Sequence, residues 1–297
     1  KGSLNTFLNA ITWPDKTMYP IASRNDKDFH NLMDVYLDAV FYPDCLKNPQ
    51  ILMQEGWHYE LDNVDAPLTY NGVVYNEMKG ALSSPEAIME DKAMEELFPD
   101  TTYGVESGGD PEVIPTLSFR EFSEFHRRFY HPSNSYIYLY GDMDIDETLK
   151  FIDQEYLSHF DARNVYSAVK TQSPLPKRKI VEAPFGISEN ESLEKKTIHA
   201  LYIALNDHIT TEESLAFKIL SYVLVDMDGA PLKKAVLDAG IGNDVSSAYG
   251  DSYKQPVWTI EVTGSEIDKR EKFISTVDLV LRNLALDGID RNMLEAA

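Results

Sequence analysis

The sequence predicts an α+β chain built around mainly antiparallel sheets. Two observations carry that reading. Strand and helix patterns come in groups without strict βαβ alternation, which disfavours a parallel sheet. An aperiodic stretch, Asp161 to Lys177, ending in Ser173-Pro174-Leu175-Pro176, separates two such groups and marks the best domain boundary.

In chain order, Ser3 to Ala10 reads as a helix end or turn and Thr17 to Ser23 as a strand. Asn25 or Asp26 caps a helix carrying Phe29, Leu32, Met33, Tyr36, Leu37, Val40 and Phe41 on one face, and Pro43 ends it. Pro49 opens a short helix through Gln54-Glu55-Gly56, Trp57 to Leu61 reads as a strand, and Asn63 to Thr69 as a polar loop. Pro85 suits the first turn of a helix running to Phe98. Thr101 to Pro115 is Gly- and Pro-rich and reads as an ordered loop. Ser118, with Glu121 in the capping-box position, starts a helix whose Phe119, Phe122, Phe125 and Phe129 are expected in the core. Tyr136 to Tyr140 alternates as a central strand would, and Asp144 caps a helix carrying Ile145, Leu149, Ile152 and Tyr156. Beyond the boundary, Arg178 to Ala183, Lys195 to Leu205, Val245 to Tyr249 and Val257 to Val262 read as strands. Thr211 to Leu224, Ala230 to Ala239 (stopped by Gly240) and Lys269 to Leu286 read as helices. No internal repeat can be aligned from the sequence alone.

A length of 297 residues allows one large or two medium domains, and 43% hydrophobic with 26% charged residues is the composition of a globular protein. No apolar run is long enough to cross a bilayer and no signal-peptide pattern opens the chain, so the expected compartment is a bacterial cytoplasm or an organellar matrix. The single cysteine, Cys45, can form no internal disulfide and reads as a buried small residue. A net charge of −22 argues against a nucleic-acid partner, which needs a basic surface. Such a surface can steer basic peptides toward itself, or can simply keep the chain soluble. The chain starts at Lys1 and stops at Leu294-Glu295-Ala296-Ala297 inside a helical pattern, which reads as a piece of a longer polypeptide.

The most informative stretch is Gly72 to Ser83. Its apolar residues fall at helical spacing, with Val73, Val74, Met78, Ala81 and Leu82 forming an inward face on which Glu77 also lies. A carboxylate facing a core is costly unless a cation, a metal or several donors compensate it. The plain alternative puts Glu77 at the edge of the stripe, reaching water or a nearby arginine.

Tyr70-Asn71-Gly72-Val73-Val74-Tyr75-Asn76-Glu77-Met78-Lys79-Gly80-Ala81 resembles the zinc-ligand helix of the pitrilysin/insulinase-type metallopeptidases, especially the presequence protease and falcilysin branch. Gly2 to Ala10, Gln54-Glu55-Gly56-Trp57, Ser107 to Pro111 and Tyr130-His131-Pro132-Ser133-Asn134 match in the same order, over roughly the first half of the chain. Lys233 to Asp244 carries a looser match in the second half. The resemblance implies two related α/β sandwich domains forming one wall of a peptide-degrading chamber. Residues 1–160 would be the remainder of the first domain, 161–177 a linker, and 178–297 a second domain incomplete at its C-terminus.

In that family a Zn2+ ion, held by two histidines of a His-x-x-Glu-His helix and one further glutamate, activates water for attack on the amide. Glu77 aligns with the further glutamate. No His-x-x-Glu-His or His-Glu-x-x-His occurs here, and the seven histidines include no helical i, i+4 pair. The resemblance places the motif upstream of Lys1, so the chain alone is expected to be inactive. Its implied partners are peptide substrates, the preceding N-terminal segment and the C-terminal half of the same polypeptide. The alternative is a non-catalytic chamber wall or assembly subunit.

Glu55 is a candidate neighbour orienting the metal site, or else a helix-end carboxylate bonded to local amides. By resemblance Asn9, Ala10, Ile11 and Thr12 would pair with an extended peptide, or else form a plain turn. His131 reads as structural, and Ser107-Gly108-Gly109-Asp110 as a tight turn rather than a phosphate cradle. Asp226-Met227-Asp228-Gly229 opens like a calcium loop but lacks the twelfth-position glutamate.

Overall fold

The structure, a computed structural model of the chain, describes residues 6–297. The first residues of the Gly2 to Ala10 match therefore lie outside the described residues. The chain divides into two compact units, one comprising the residues up to Asp91 with Val105–Val169, the other Lys92–Gly104 with Lys170–Ala297.

The first unit opens with an interrupted hairpin. β1 (Phe7–Leu8) pairs antiparallel with β4 (Ile21–Ala22), and β2 (Ile11–Thr12) with β3 (Thr17–Met18). Asn9 N–H donates to Pro20 O at 3.1 Å between the two ladders, and Trp13 N–H donates to Lys16 O at 2.8 Å to close the turn. Phe7-Leu8 is thus strand where a helix end or turn was expected. The continuous strand expected over 17–23 is split at Tyr19-Pro20, because proline has no N–H to give a ladder.

α1 (Asp26–Phe41) is capped by Asn25, whose side chain accepts from Asp28 N–H at 3.0 Å, and it buries Met33 and Phe41. α2 (Pro49–Ile51) runs into a wider helical turn, Leu52–Gly56, where Trp57 N–H reaches back five residues to Leu52 O at 3.1 Å. β5 (His58–Glu60) and β6 (Thr69–Asn71) form a hairpin leading into α3 (Val73–Ala81). α4 (Pro85–Leu97) follows, its last turns counting with the second unit.

The entry to α3 is set by backbone proximity. Gly72 has φ +151°, and a Cβ there would lie 2.2 Å from Gly56 O and 2.7 Å from Trp57 Cα. Only glycine lets the two chain segments approach so closely.

α5 (Phe119–Phe129) has the expected capping box, Ser118 with Glu121. Its phenylalanine stripe is not core: Phe125 is 59% exposed and Phe119, Phe122 and Phe129 are only half-buried. The packed face runs instead through Ser123, His126 and Tyr130. His126 Nε2–H donates to Val40 O of α1 at 3.0 Å, and the ring stacks on Tyr130 at 4.3 Å. A polar face was chosen because it satisfies an α1 carbonyl, which hydrophobic periodicity does not register. His131 is buried; its Nδ1 accepts from Ser133 N–H at 3.1 Å and its ring meets Phe160 edge-on. α6 (Ile145–Glu155), capped by Asp144, buries Ile152.

Tyr136 to Tyr140, expected as a central strand, forms no ladder among the described residues, and Tyr136, Tyr138 and Tyr140 stand exposed. Alternation prescribes two faces but supplies no partner strand.

In the second unit, β7 (Thr197–Ala204), β8 (Asp244–Gly250) and β9 (Val257–Ser265) form an antiparallel sheet with β9 in the centre. α7 (Thr211–Ser221), α8 (Pro231–Asp238), α9 (Arg270–Asp287) and α10 (Arg291–Ala296) complete it. A Thr210–Glu213 capping box starts α7. The core joins Leu232 and Val236 of α8, Val245 of β8, Ile260 and Val262 of β9, and Phe273 and Val277 of α9. Inside it Trp258 Nε1–H donates to Ser221 Oγ at 2.7 Å, whereas Tyr249 Oη, packed against the same core, is buried without a hydrogen-bond partner among the described residues. Gln172 and Gln255 tie residues 92–104 into this unit. Asp100 N–H donates to Gln172 Oε1 at 3.0 Å, and Gln172 N–H to Gln255 Oε1 at 2.7 Å. Arg178 to Ala183 is not the expected strand; Arg178 instead forks onto Asp278 at 2.8 and 3.2 Å, leaving Ile180 and Val181 exposed.

Two outcomes follow from the packing of the first unit. Gly72→Ala is expected to destabilise by about 2 kcal/mol or more, because the obstructing atoms are backbone and cannot turn aside. Urea denaturation measures it, and an unchanged midpoint would refute the contact. Burial lowers the pKa of His126, the nearby Arg127 cation adding to it and the Val40 hydrogen bond opposing it. Burial, then Arg163, lowers that of His131. Both rings therefore take up protons less readily in the fold than in the unfolded chain, which does so near the usual value of 6.5. Their contribution is fully present above about pH 6.5 and is lost as pH falls below it. His131→Asn, which keeps a capping acceptor but does not titrate there, should flatten the acid-side fall of the urea midpoint; an identical slope would exclude His131 as a titrating group.

Candidate functional site

Asn71 is the hub of the site. Its Oδ1 accepts from Gly72 N–H at 2.8 Å and from Asn76 Nδ2–H at 2.6 Å, while its Nδ2–H donates to Glu60 at 2.5 Å. One side chain thereby joins β5, β6 and the first turn of α3. Trp57 Nε1–H donates to Leu117 O at 3.1 Å, and His58 Nδ1–H to Met53 O at 2.6 Å, holding the 52–58 segment on both sides. Met78 rests on the 106–109 loop, where a Cβ at Gly108 would lie 2.3 Å from its Sδ. Gly109 N–H donates to Glu106 O at 3.1 Å and Gly109 has φ +101°, so this loop is the tight turn expected, and it serves as the seat for Met78.

The inward face expected of α3 is not what forms. Val73 is 44% exposed, Val74 and Glu77 are exposed, and no residue of the helix is buried. The helix leans on the 52–56 turn, β6 and the 106–109 loop; among the described residues nothing covers the rest of its apolar stripe. A carboxylate in water needs no compensating cation, so the cost argument for Glu77 does not apply to this chain by itself. The carboxylates of Glu77 and Glu55 are both exposed and have no hydrogen-bond or ion-pair partner among the described residues. The Gly72 contact brings their two elements together.

Asn9, Ala10, Ile11 and Thr12 lie in the first arm of the opening hairpin. Asn9 Oδ1 accepts from Ala10 N–H at 2.9 Å, Ile11 is half-buried and the other three are exposed. One edge of this arm is paired with residues 17–22; its other edge has no ladder partner among the described residues. No hydrogen bond among the described residues links this arm to Glu55 or Glu77.

A catalytic zinc needs three protein ligands. Among the described residues no three His, Cys, Asp or Glu side chains converge on a possible ion. The donor set does not fit a complete metal centre, and no step through a metal is derived from it. Sequence reasoning overlooked the backbone contact at Gly72 and the Asn71 hub. The signal available was the pair Asn71-Gly72 placed between a strand and a helix, with Gly56 just before the preceding strand.

The profile described as "Peptidase M16 inactive domain" matches residues 116–297. "Protein HypA" of Clostridium perfringens is 50% identical over 297 residues, covering 100% of this chain and 30% of its own length. "Presequence protease 1, chloroplastic/mitochondrial" of Arabidopsis thaliana is 41% identical over 305 residues, covering 100% of this chain and 28% of its own length. The chain thus spans about three tenths of the length of these curated relatives. Among solved structures, the peptidase M16 inactive domain from Pseudomonas fluorescens superposes with a TM-score of 0.68 at 15% identity, covering 98% of this chain and 65% of that one. Pitrilysin gives 0.58 at 16% identity, covering 98% of this chain and 29% of that one. These two share the fold. With a profile match extending over more than half of its residues, the chain belongs to the M16 peptidase family.

Proposed function

We propose that this chain is part of a zinc-dependent endopeptidase that degrades peptides inside a closed chamber. The observation that carries the reading is Glu77: an exposed carboxylate, without a partner among the described residues, on a helix whose start is fixed against the 52–57 segment. Such a side chain is available to one metal ion. Glu77 would be one zinc ligand, and the two histidines and the general base would come from other parts of the polypeptide. The chain by itself would be inactive. The relatives named presequence proteases support peptides as the substrates.

Glu55, on the turn packed against the start of α3, would help orient the site. Asn9, Ala10, Ile11 and Thr12 would offer their unpaired edge to an extended peptide, whose backbone amides would continue the ladder. Residues 1–160 would carry the ligand, 161–177 would link, and 178–297 would form a second, related domain. The match of residues 116–297 to a domain described as inactive favours a non-catalytic wall for that part of the chain. Among the described residues no helix is long and apolar enough to cross a membrane, and a bacterial cytoplasm or an organellar matrix is the compartment we propose.

In the full-length protein, Glu77→Gln should lower both bound zinc and peptide hydrolysis at least about tenfold while leaving the thermal midpoint close to wild type. Metal analysis and a fluorogenic peptide assay measure the two. Full zinc and full turnover in the variant would reject the assignment.

A further inference from the structure

Two histidines, His126 in the last turn of α5 and His131 just past it, have no good place for a second proton. His126 Nε2–H donates to Val40 O of α1 at 3.0 Å, so Nδ1 is the bare nitrogen. That Nδ1 is buried and has no hydrogen-bond partner among the described residues. Protonation would therefore put a positive charge inside the packing of α5 on α1. The Ser123 hydroxyl, the other buried unpaired group on this face of α5, is neutral and balances no charge. The stacked Tyr130 ring favours a cation, but a buried charge without a counter-ion costs more. In His131 the bare nitrogen is again Nδ1, because it accepts from Ser133 N–H at 3.1 Å. A proton there would set two N–H groups against each other and break the cap.

The charged groups beside these rings do not compensate them. Burial lowers both pKa values; the Val40 bond opposes this at His126, while Arg127 adds to it there and Arg163 at His131. Of the acids on α1, Asp34 and Asp38 act on Tyr156, whose hydroxyl donates to Asp34. Asp161 borders the cleft that His131 lines but makes no bond to its ring. The remaining titratable neighbours are phenols, Tyr130 and Tyr19, with the Cys45 thiol beside Tyr19.

These two rings flank the support of the opening hairpin. Tyr130 Oη accepts from Tyr19 Oη–H at 3.2 Å and donates to Thr17 Oγ1 at 3.5 Å. Thr17 is the register partner of Thr12, at the end of the arm assigned to an extended peptide. The end of α5 is itself held by directional bonds: Arg163 donates to Arg127 O at 2.7 Å and Arg128 O at 3.2 Å, and Asn134 Nδ2–H to Phe129 O at 2.9 Å.

We propose that His126 and His131 form an acid-sensitive joint: a proton taken up by either ring frees the end of α5 and slackens the 7–22 hairpin that Tyr130 supports. The joint is closed above about pH 6.5 and opens as the pH falls below it. Opening loosens the arm Asn9 to Thr12, so the inference adds a regulation to the peptide-degrading reading and rests on that reading for this consequence.

The test is amide hydrogen exchange in the full-length protein at about pH 7.5 and about pH 5.5, corrected for the intrinsic pH dependence of exchange. Protection over residues 7–22 and 126–134 should fall about tenfold at the lower pH, while α8 keeps its own. His126→Gln with His131→Asn keeps a donor toward Val40 O and an acceptor for Ser133 N–H but titrates at neither position. That variant should hold its protection at both pH values. Unchanged hairpin protection in wild type, an equal loss in α8, or the same loss in the double variant overturns the inference. If the double variant does not fold, exchange of the histidine Cε1 hydrogens reads the two pKa values in wild type. Values below 6.5 then support the joint, and a value of 6.5 or more at either ring overturns it. Peptide hydrolysis at about pH 7.5 reports separately on the peptidase reading. Turnover without acid-induced opening sinks the joint alone, and opening without turnover sinks only the peptidase reading.

Discussion

The first unit is organised by the passage of Gly72 against the Gly56 carbonyl and Trp57 Cα, at a distance no side chain could occupy. From that contact the rest of the site follows. It fixes where α3 begins, hence which way Glu77 faces, and it locks the 52–56 turn bearing Glu55 to the same helix. Asn71, the preceding residue, can then bond Gly72, Asn76 and Glu60 at once. The hairpin bearing Trp57, Tyr59 and Tyr70 enters from one side of the contact and leaves from the other. A steric constraint on two backbones thus brings the elements bearing Glu55 and Glu77 together without a large apolar core beneath them.

The two units differ in how they are held. In the second, α8, α9 and the central strand β9 bury branched aliphatic side chains against one another, and the one indole N–H inside is paired. Such packing is stiff and suits a wall. In the first, α3 buries nothing and α5 packs through a histidine and a tyrosine rather than its phenylalanines. Its order depends on directional bonds: caps, the Asn71 hub, the His126–Val40 bond and the His131 cap. Bonds of that kind fix orientation at modest net stability.

What the sequence made legible was local. Asn25, Ser118 with Glu121, and Asp144 cap helices in the structure because a cap is decided within four residues. β7, β8 and β9 stood out because each has a long β-rich pattern and finds its partner within one unit. Tyr136 to Tyr140, Arg178 to Ala183, the phenylalanine stripe and the inward Glu77 failed for a shared reason. Periodicity marks a face that could be covered, but it cannot say what covers it. The close approach at Gly72 joins residues sixteen apart along the chain, and residues 92–104 pack with partners beyond 170. Neither contact leaves a periodic trace. The family motifs marked Glu55 and Glu77 as residues of interest, and the structure adds that their elements touch.

The central claim is that Glu77 is a metal ligand supplied by this chain to a centre completed elsewhere in the polypeptide. A crystal structure of the full-length protein with zinc bound tests it most directly. The account predicts a Glu77 carboxylate oxygen at about 2.0–2.2 Å from the ion, with nitrogen ligands from outside this chain. A fully ligated zinc with Glu77 still turned to solvent would contradict it.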